Sequence, residues 1–388
     1  MKLAILNKKT LFFLISLLLF IFIVGVLFLT SQFWSAEPSS PAVQNRRQKN
    51  DLDTVGEEAK ITVVAEELTV PWGIAFLPNG DLLVTERPGR VRLVNGQGLR
   101  PEPVLALPNV VAVGEGGLLG IAPHPNFSDN GYVYLYYTYR DGSDQLLNQV
   151  SRMVYRGDRL EDEQVIVAKI PGAANHNGGR IKFGPDGYLY IATGDTGKAL
   201  LSQDINSLAG KILRLTDEGG APQDNPFGNL VYSYGHRNPQ GLVWDDQGRL
   251  WATEHGRSGP LSGLDELNLI QAGGNYGWPI IEGDEEEEAM ISPVIHSGPD
   301  ITWAPSGALF YQDSIFFAGL RGQALYQFLI ATGELRVHLQ EEFGRIREAV
   351  LGPDNFLYFA TSNRDGRGSP ILADDRIIKI NSKLFLSD

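Results

Sequence analysis

The chain of 388 residues contains no cysteine. That absence excludes disulfides, thiolate nucleophiles, zinc–thiolate sites and iron–sulfur clusters, so any redox chemistry needs a bound organic cofactor or another metal. The chain also has no basic stripe, and its formal net charge is -13. Nucleic-acid binding is therefore not expected, because a protein that neutralises phosphates needs clustered lysine and arginine.

Long hydrophobic runs are missing except near the N-terminus. Residues 11–29 form an apolar stretch without a charged residue, and three lysines precede it. With a rise of about 1.5 Å per residue, this stretch nearly spans the core of a bilayer. The lysines place the rest of the chain outside the cytoplasm by the positive-inside rule. The residues after the stretch lack a small-x-small cleavage site, which favours an uncleaved anchor over a cleaved signal peptide.

The chain is predicted to have three parts. Residues 1–36 hold a cytoplasmic stub and the transmembrane or signal segment, residues 37–59 form a polar linker, and residues 60–388 form the folded domain. The linker prediction rests on prolines and mixed charges. We expect the protein to be exported, periplasmic or otherwise extracytoplasmic, and attached to the membrane through its N-terminal segment.

A recurring phrase fills the folded region: an apolar strand, a turn containing Pro, Asp, Asn or Gly, and a second apolar strand. Asn-Gly, Asp-Gly and Gln-Gly pairs supply the positive φ values that tight β-turns need, so each copy predicts a hairpin. The copies are residues 73–85, 120–137, 181–193, 242–253, 307–318 and 349–361.

These similar hairpins, about 40 to 65 residues apart, predict an all-β fold, a six-bladed β-propeller of four-stranded antiparallel blades. No stretch shows the sustained helical period of a βαβ fold. A large β-sandwich would explain hairpins, but not six similar ones. In a propeller, loops of different blades meet at one end of the central channel, so ionisable loop residues are the candidates for function.

The first candidate is His176, within the segment NHNGGR just before one of the hairpins. Neighbouring glycines let a ligand approach the backbone closely. The histidine either acts on a ligand or only hydrogen-bonds its own loop, and the local sequence leaves both interpretations open.

The second candidate segment is YGHRNPQG, at residues 234–241. It packs several hydrogen-bonding side chains between two glycines, which a connection that only turns does not need. Arg237 could grip an anion. Its alternative role is a salt bridge that joins blades.

The third candidate region runs from residue 254 to residue 288 and combines a glycine-rich loop with carboxylates. Calcium takes about six to eight oxygen ligands from carboxylates and backbone carbonyls, although the spacing here is not that of an EF-hand. The acidic run at residues 284–288 is either a solvated loop or a site for a hard cation. The candidate carboxylate ligands are Glu266, Glu282, Asp284 and Glu286.

The fourth candidate pair is Arg345 and Arg347, just before the last hairpin. Strand alternation aims both guanidinium groups to the same side. Two arginines on one face repel each other unless they share an anionic partner, which suggests a polycarboxylate ligand.

Together these segments closely resemble the family of soluble pyrroloquinoline quinone (PQQ)-dependent glucose dehydrogenases and aldose sugar dehydrogenases, which carries the glucose/sorbosone dehydrogenase domain. The resemblance covers about residues 68–380, and six motifs stand in the family's order. They are GEGGLLGIAPHPNF, HNGGRIKFGPDG, LAGKILRL, GHRNPQGL, DELNLIQAGGNYGWP and GRIRE.

The resemblance implies a role for each candidate. His176 resembles the general base that takes the proton of the anomeric hydroxyl while hydride moves to PQQ. Arg237 and Asn238 resemble the pair beside the reacting quinone oxygens. Arg345 and Arg347 resemble the residues that bind the carboxylates of PQQ.

The resemblance also implies two calcium sites. The backbone carbonyls of Gly256 and Arg257 would hold the calcium that polarises the quinone. Glu266 and the carbonyl of Tyr276 would hold a second, structural calcium.

The chain departs from the family at several of these positions. Glu115 stands where the glucose enzymes place a glutamine in the cofactor site, and a carboxylate there costs affinity unless it is protonated or paired. Asn175 replaces the aspartate before the histidine, so the histidine loses a charged partner. The cofactor-binding lysine has no clear match, and Arg321 lies close to its place. Arg257 replaces a proline, which a carbonyl ligand tolerates.

Two functions remain as hypotheses. The first is a PQQ- and calcium-dependent dehydrogenase that oxidises aldose sugars to lactones and passes electrons to an external quinone or cytochrome. The second is a propeller without the cofactor, which binds a ligand or acts as a calcium-dependent lactonase. Three arginines, Arg237, Arg345 and Arg347, favour the first, because a module without an anionic cofactor has little need for them.

Overall fold

The structure, a computed structural model, describes residues 61–259 and 262–385. The predicted anchor at residues 1–36 and the linker at residues 37–59 lie outside the described residues. Within the described part, no helix is long and apolar enough to cross a membrane. The strands, in chain order, are β1 Thr62–Ala65, β2 Pro71–Phe76, β3 Leu82–Glu86, β4 Arg90–Asn95, β5 Gly98–Leu99, β6 Leu105–Ala106, β7 Leu118–Pro123, β8 Tyr132–Arg140, β9 Leu146–Tyr155, β10 Leu160–Pro171, β11 Ile181–Phe183, β12 Leu189–Thr193, β13 Lys211–Leu215, β14 Val231–Tyr234, β15 Pro239–Trp244, β16 Leu250–Glu254, β17 Glu266–Ile270, β18 Ile295–His296, β19 Pro305–Tyr311, β20 Ser314–Gly319, β21 Ala324–Leu329, β22 Leu335–His338, β23 Ile346–Leu351, β24 Phe356–Thr361 and β25 Ile377–Asn381.

Across residues 61–259 and 262–385, helical structure is confined to short turns. An α-helical turn, α1, spans Phe127–Asn130, and 3₁₀ turns span Ala199–Gln203 and Ser382–Phe385.

The strands form six antiparallel sheets, which confirms the predicted six-bladed propeller. Five blades follow the chain, each with its first strand innermost and its last strand outermost. In the first blade the outermost position is divided between β5 and β6, which both pair with β4. The sixth blade has the order β1-β25-β24-β23, so a strand from the start of the described chain completes the last sheet. This pairing closes the ring.

Each blade joins its neighbours through apolar packing. The described residues contain six hydrophobic clusters, and each cluster takes most of its side chains from two adjacent blades. A four-stranded sheet that is buried on both faces cannot exclude water alone, so the blades stabilise one another. Burying a large aliphatic or aromatic side chain contributes about 1.5–3 kcal/mol.

The turns between the two inner strands repeat one device. In three blades an aspartate in this turn accepts a backbone N–H and also a hydrogen bond from an aromatic side chain on the second strand. These pairs are Asp186 with Tyr190, Asp245 with Trp251, and Asp354 with Tyr358, each at 2.9 Å. The repeated turn chemistry explains why the hairpins resemble one another in sequence.

The innermost strands are irregular at the end where the chain enters them. In five blades the pairing of the first two strands shifts register there. Such a bulge re-aims side chains. Trp72, Gln240, Ser306 and Arg347 lie inside four of these shifts. The bulges therefore supply side chains to the end of the channel at which the candidate residues meet.

Candidate active site

A cavity of about 390 Å³ lies at the end of the channel where the entry loops of several blades meet. It is lined mainly by polar and charged side chains. Residues from the sequence prediction that line it are Glu115, Asn175, His176, Gly256, Arg257, Arg321, Arg345 and Arg347. Trp72 and Arg367 also line the cavity and were missed, whereas Gln240, His255 and Asp265 lie in the predicted segments without a role having been assigned to them.

His176 is held in an unusual backbone conformation. Its φ is +55°, in the left-handed region that most non-glycine residues avoid. A β-carbon at Gly194 would collide with the His176 carbonyl, so the glycine lets the loop sit against the next strand connection. This loop conformation places the imidazole at the cavity.

Asp195 is the partner of the His176 ring. Its Oδ1 lies 2.7 Å from Nδ1 of His176, and its Oδ2 accepts the Nε1–H of Trp278 at 2.8 Å. Burial opposes ionisation of Asp195, but the hydrogen bonds from His176, the Gly197 N–H and Trp278 outweigh it and lower the pKa of the carboxyl. An ionised Asp195 accepts from Nδ1–H, which leaves Nε2 free to accept a proton.

Asp195 corrects one inference from the sequence. The asparagine at position 175 indicated that His176 loses a charged partner, but the loop after β12 supplies one instead. The segment Gly194-Asp195-Thr196-Gly197 places an acidic residue between glycines at a strand end. That signal was available, although nothing in the sequence alone joins this loop to His176.

Arg237 and Asn238 are positioned by a buried carboxylate. Glu254 Oε1 accepts the backbone N–H of Arg237 and, at 3.2 Å, that of Asn238, while Oε2 lies 2.9 Å from Nδ1 of His236. The Asn238 side chain accepts the Gly178 N–H at 3.0 Å, next to the His176 loop. Glu254 therefore fixes the loop that carries the predicted quinone-side residues.

The Arg237 guanidinium lies beside the main cavity. It lines a small adjoining cavity of about 10 Å³ and stacks over Trp278 with its carbon 5.3 Å from the ring centroid. Nη2 donates to Ser258 Oγ at 2.9 Å, whereas Nε is buried without a partner. Asn238 Nδ2 is likewise buried and unpaired. Buried donors without a partner are costly, so these atoms are available to hydrogen-bond a polar group.

The paired arginines project to the same cavity, as strand alternation predicted. Arg345 bonds the Asp365 carboxylate through Nε and Nη2, at 3.1 and 2.8 Å. Arg347 donates to Gln240 Oε1 at 2.9 Å. Burial, with Arg345 nearby, lowers the pKa of Arg347 to about 9 against the opposing charge of Asp365. Its Nε has no partner, so this arginine could bond a further anion.

Arg321 and His255 add to the polar lining of the cavity. Arg321 is exposed and bonds Ser262 Oγ at 2.9 Å. Burial lowers the pKa of His255 to about 3, so its ring is neutral, and its Nε2 is buried without a partner.

Glu115 lines this arginine-rich cavity, and its carboxylate forms an ion pair. Its Oε1 lies 2.9 Å from Nη1 of Arg367, and its Oε2 accepts the backbone N–H of His176 at 3.0 Å. Burial disfavours the charge, but His255, the His176 N–H and Arg367 favour it and lower the pKa of Glu115. Because His255 is neutral, we attribute the lowering chiefly to Arg367 and the His176 N–H.

Several predicted metal ligands meet at the small adjoining cavity. The predicted ligands Glu266, Glu282, Gly256 and Arg257 line it, together with Glu254, which was not predicted. Burial, followed by the charge of Glu254, raises the pKa of Glu266 to about 8. Arg257 Nη1 lies 3.6 Å from Glu282 Oε2 and partly balances that carboxylate.

The other predicted metal ligands lie apart. Asp284 and Glu286 are exposed, and Asp284 Oδ1 lies 3.0 Å from Nε2 of His296. Tyr276 is buried and stacks on His236 at 4.7 Å between ring centroids. Within residues 61–259 and 262–385, no three His, Asp or Glu side chains form a cluster of the kind that holds a metal. The exposure of the acidic run favours the solvated-loop interpretation.

The fold and the site define a class, six-bladed β-propellers with an arginine-lined polar cavity and a carboxylate-bound histidine at one end of the channel. The glucose/sorbosone dehydrogenase family model matches residues 68–373, and the chain belongs to that family. This confirms the resemblance that the six motifs indicated. Family membership assigns the protein to sugar-oxidising oxidoreductases in general.

Two relatives whose names state an activity are similar in sequence to more than half of this chain. It is 32% identical over 381 residues to the aldose sugar dehydrogenase YliI of Escherichia coli strain K12, covering 89% of this chain and 96% of that protein. It is 34% identical over 258 residues to quinoprotein glucose dehydrogenase B of Acinetobacter calcoaceticus, covering 58% of this chain and 53% of that protein. The structure of the PQQ-bound form of an aldose sugar dehydrogenase from Streptomyces coelicolor matches with a TM-score of 0.76 and 41% identity, covering 84% and 98% of the two chains.

Proposed function

We propose that this protein is a PQQ-dependent aldose sugar dehydrogenase that oxidises the anomeric carbon to the lactone, with His176 as the general base. The observation that carries the proposal is the His176–Asp195 pair at the wall of a cavity lined by arginines. A base and a polyanion-binding surface in one cavity suit an oxidation that removes a proton beside an anionic cofactor.

The cavity residues fit such a cofactor. PQQ carries three carboxylates, and Arg345 and Arg347 are placed to bind them, with Arg321 as a further cation. The unpaired Nε atoms of Arg347 and Arg237 and the Nδ2 of Asn238 are buried donors that a ligand could satisfy. When bound, PQQ would supply a two-electron acceptor at this end of the channel.

The protein side chains would handle the proton and the charge. Nε2 of His176 takes the proton of the anomeric hydroxyl, and Nδ1–H remains bonded to Asp195. The Asp195 carboxylate stabilises the imidazolium that forms, as in a triad. Arg237 supplies fixed positive charge where an oxyanion develops, and the low dielectric of its buried position strengthens that effect.

Calcium is part of the proposal. Glu266 is a buried carboxylate whose raised pKa reflects burial next to Glu254, and a divalent cation would favour its ionised form. The carbonyls of Gly256 and Arg257, at the same cavity, and that of Tyr276 would complete the ligand sets. The lysines that precede the apolar stretch at residues 11–29 lead us to propose also an extracytoplasmic location, with the membrane anchor within residues 1–36.

Electrons would leave to an external quinone or cytochrome. The reason is that a reduced cofactor must be reoxidised before the next turnover, which needs an acceptor that can enter and leave. The Glu115 carboxylate motivates the second candidate, a cofactor-free propeller that binds a ligand or hydrolyses lactones with calcium.

One experiment separates the candidates. Purified apoprotein is mixed with PQQ and calcium, and the reduction of an artificial electron acceptor is followed with a panel of aldoses. The first function requires saturable PQQ binding and aldose-dependent dye reduction. If neither occurs, the dehydrogenase proposal fails, and hydrolysis of lactones with calcium is then the assay of the second candidate.

A further inference from the structure

Two oppositely charged side chains from distant parts of the chain meet inside the cationic cavity. Arg367, on the loop after β24, lies 2.9 Å through Nη1 from Oε1 of Glu115, on the loop before β7. Arg367 is 55% exposed and Glu115 23% exposed, and both line the cavity. The contact joins the sixth blade to the connection between the first two blades.

The other arginines of the cavity are bonded elsewhere. Among the arginines that line the cavity, Arg367 is the one that forms an ion pair with Glu115. The other pairs are Arg257 with Glu282, Arg321 with Ser262, Arg345 with Asp365 and Arg347 with Gln240.

Glu115 also has a structural task that keeps it in place. Its second oxygen accepts the N–H of His176, whose backbone is in the left-handed conformation. A carboxylate can serve both Arg367 and His176 because its two oxygens accept independently. A neutral glutamine has one acceptor oxygen and an NH₂ group that cannot accept from Arg367, so Glu115 joins the base loop to the arginine as a glutamine would not.

A bare carboxylate at this position would repel a polyanion. Glu115 is only 23% exposed, so water screens its charge in part, and a like charge destabilises a carboxylate bound nearby. With Arg367 in place, the pair has no net charge, and the remaining arginines set the sign of the cavity.

We propose that Arg367 neutralises Glu115 and thereby makes the cavity able to take a polycarboxylate ligand, so that the two residues act as a matched pair. The inference rests on the proposed function, because PQQ is the tricarboxylate concerned. Arg367 acts through Glu115 and is a positioning residue. Its effect on the ligand should depend on whether Glu115 is present.

A double-mutant cycle measures that dependence. The dissociation constant of PQQ is measured by fluorescence titration of the full-length apoprotein in calcium, for wild type, R367Q, E115Q and the double variant E115Q/R367Q. R367Q should weaken binding about fivefold, since it leaves the Glu115 charge unpaired while solvent at the exposed arginine screens part of the effect. In the E115Q background, the same replacement should change binding by less than about twofold.

Two further variants guard the interpretation. R367K keeps the positive charge and should bind PQQ nearly as wild type does. R156Q breaks the exposed ion pair of Arg156 with Asp162, at 2.6 Å on the second blade, and should leave PQQ binding unchanged. Thermal unfolding of each apoprotein shows whether the variant is folded. If R367Q does not fold, PQQ binding is compared between R367K and E115Q/R367Q instead.

The outcomes are distinct. An equal loss of affinity from R367Q in both backgrounds would mean that Arg367 binds the ligand directly and would overturn the pairing, as would no loss at all. Failure of wild type itself to bind PQQ would instead refute the proposed function, and the pairing toward PQQ would fall with it.

Discussion

Nδ1 of His176 and Oδ1 of Asp195 lie 2.7 Å apart, although the two residues come from different loops at the same end of the propeller. Asp195 is nearly fully buried and also binds the indole of Trp278, so its carboxylate is fixed from two sides. This arrangement orients the ring and sets which nitrogen can accept a proton.

Replacing either residue should therefore reduce turnover. H176A should lower kcat by about two to four orders of magnitude, the usual contribution of a general base. D195N keeps the shape but removes the charge that stabilises the imidazolium, and should lower kcat by at least about a hundredfold. The apparent KM and PQQ affinity should change much less, because neither residue is needed for uniform binding.

Steady-state kinetics of the PQQ-loaded enzyme with an aldose test this prediction. The matched control is D354N, which alters a turn aspartate that bonds Tyr358 on the second strand of the sixth blade, outside the cavity lining. D354N should retain wild-type kcat. Wild-type kcat in D195N would show that Asp195 has no part in the reaction.

Glu266 should make stability depend on pH and on calcium. Burial and Glu254 raise its pKa from 4.5 to about 8, so the native protein without metal holds a proton that the unfolded chain releases. The resulting stabilisation is complete below pH 4.5 and is lost as pH rises toward 8. Calcium, by binding the ionised carboxylate, should raise the melting temperature most at the alkaline end.

Calorimetric melting across pH 5–8, with calcium or with a chelator, tests this. The difference between wild type and E266Q isolates the residue, and E266Q should lose most of the calcium effect. D284N alters an exposed carboxylate and should keep it. The same calcium-induced shift in E266Q and wild type would place the ion elsewhere.

The sequence predicted the inner half of every blade. Each repeated phrase coincides with the first two strands of a blade, such as residues 73–85 with β2 and β3. Those strands are buried on both faces, so their pattern is strict. The outer strands were not predicted, because they are partly solvated and their lengths vary from two residues in β18 to twelve in β10.

The candidate site likewise contains residues that the sequence predicted and residues that it did not. His176, Arg345 and Arg347 stand in local motifs and were found, whereas Asp195 and Arg367 were missed. Their roles arise from contacts between residues 19 and 252 positions apart, which a motif cannot encode. The run at residues 284–288 left two interpretations open, a solvated loop or a cation site, and the exposure of its side chains favours the loop because a local cluster of charge need not converge in space.

A buried ion pair joins the third and sixth blades. Arg180, beside β11, bonds Glu348 of β23, and its guanidinium also donates to the Gln240 carbonyl and stacks over Trp72 at 4.3 Å. Both charged side chains are buried. Removing one partner leaves the other charge unpaired, whereas removing both does not.

R180M or E348L alone should therefore lower the free energy of unfolding by about 3–5 kcal/mol, and R180M/E348L by clearly less than the sum. Chemical denaturation of the three variants measures these values. Simple additivity would show that the two side chains act independently, against the contact in the structure.

Lys211 stabilises the loop that carries Asp195. Its Nζ is buried and donates to three backbone carbonyls, those of Leu201, Ser202 and Ala209, at 2.7–2.8 Å. Ser202 in turn donates through Oγ to the Trp278 carbonyl at 2.6 Å. The lysine thus ties together the loop after β12 and the segment that places Trp278 on Asp195.

K211M should unpair those carbonyls and loosen the loop. We expect a loss of about 2–4 kcal/mol of stability, since each carbonyl left unsatisfied in a buried position costs about 1–3 kcal/mol and relaxation recovers part of it. The rate of amide hydrogen exchange should rise more across residues 194–210 than in the rest of the third blade. Turnover, measured as kcat, should fall more than PQQ affinity, because the Asp195 carboxylate is less well oriented. The control is K379M, which breaks the surface pair of Lys379 with Asp354 and should leave exchange in that loop unchanged. Uniform acceleration of exchange over all blades in K211M would indicate a global loss of stability and no specific hold on the loop.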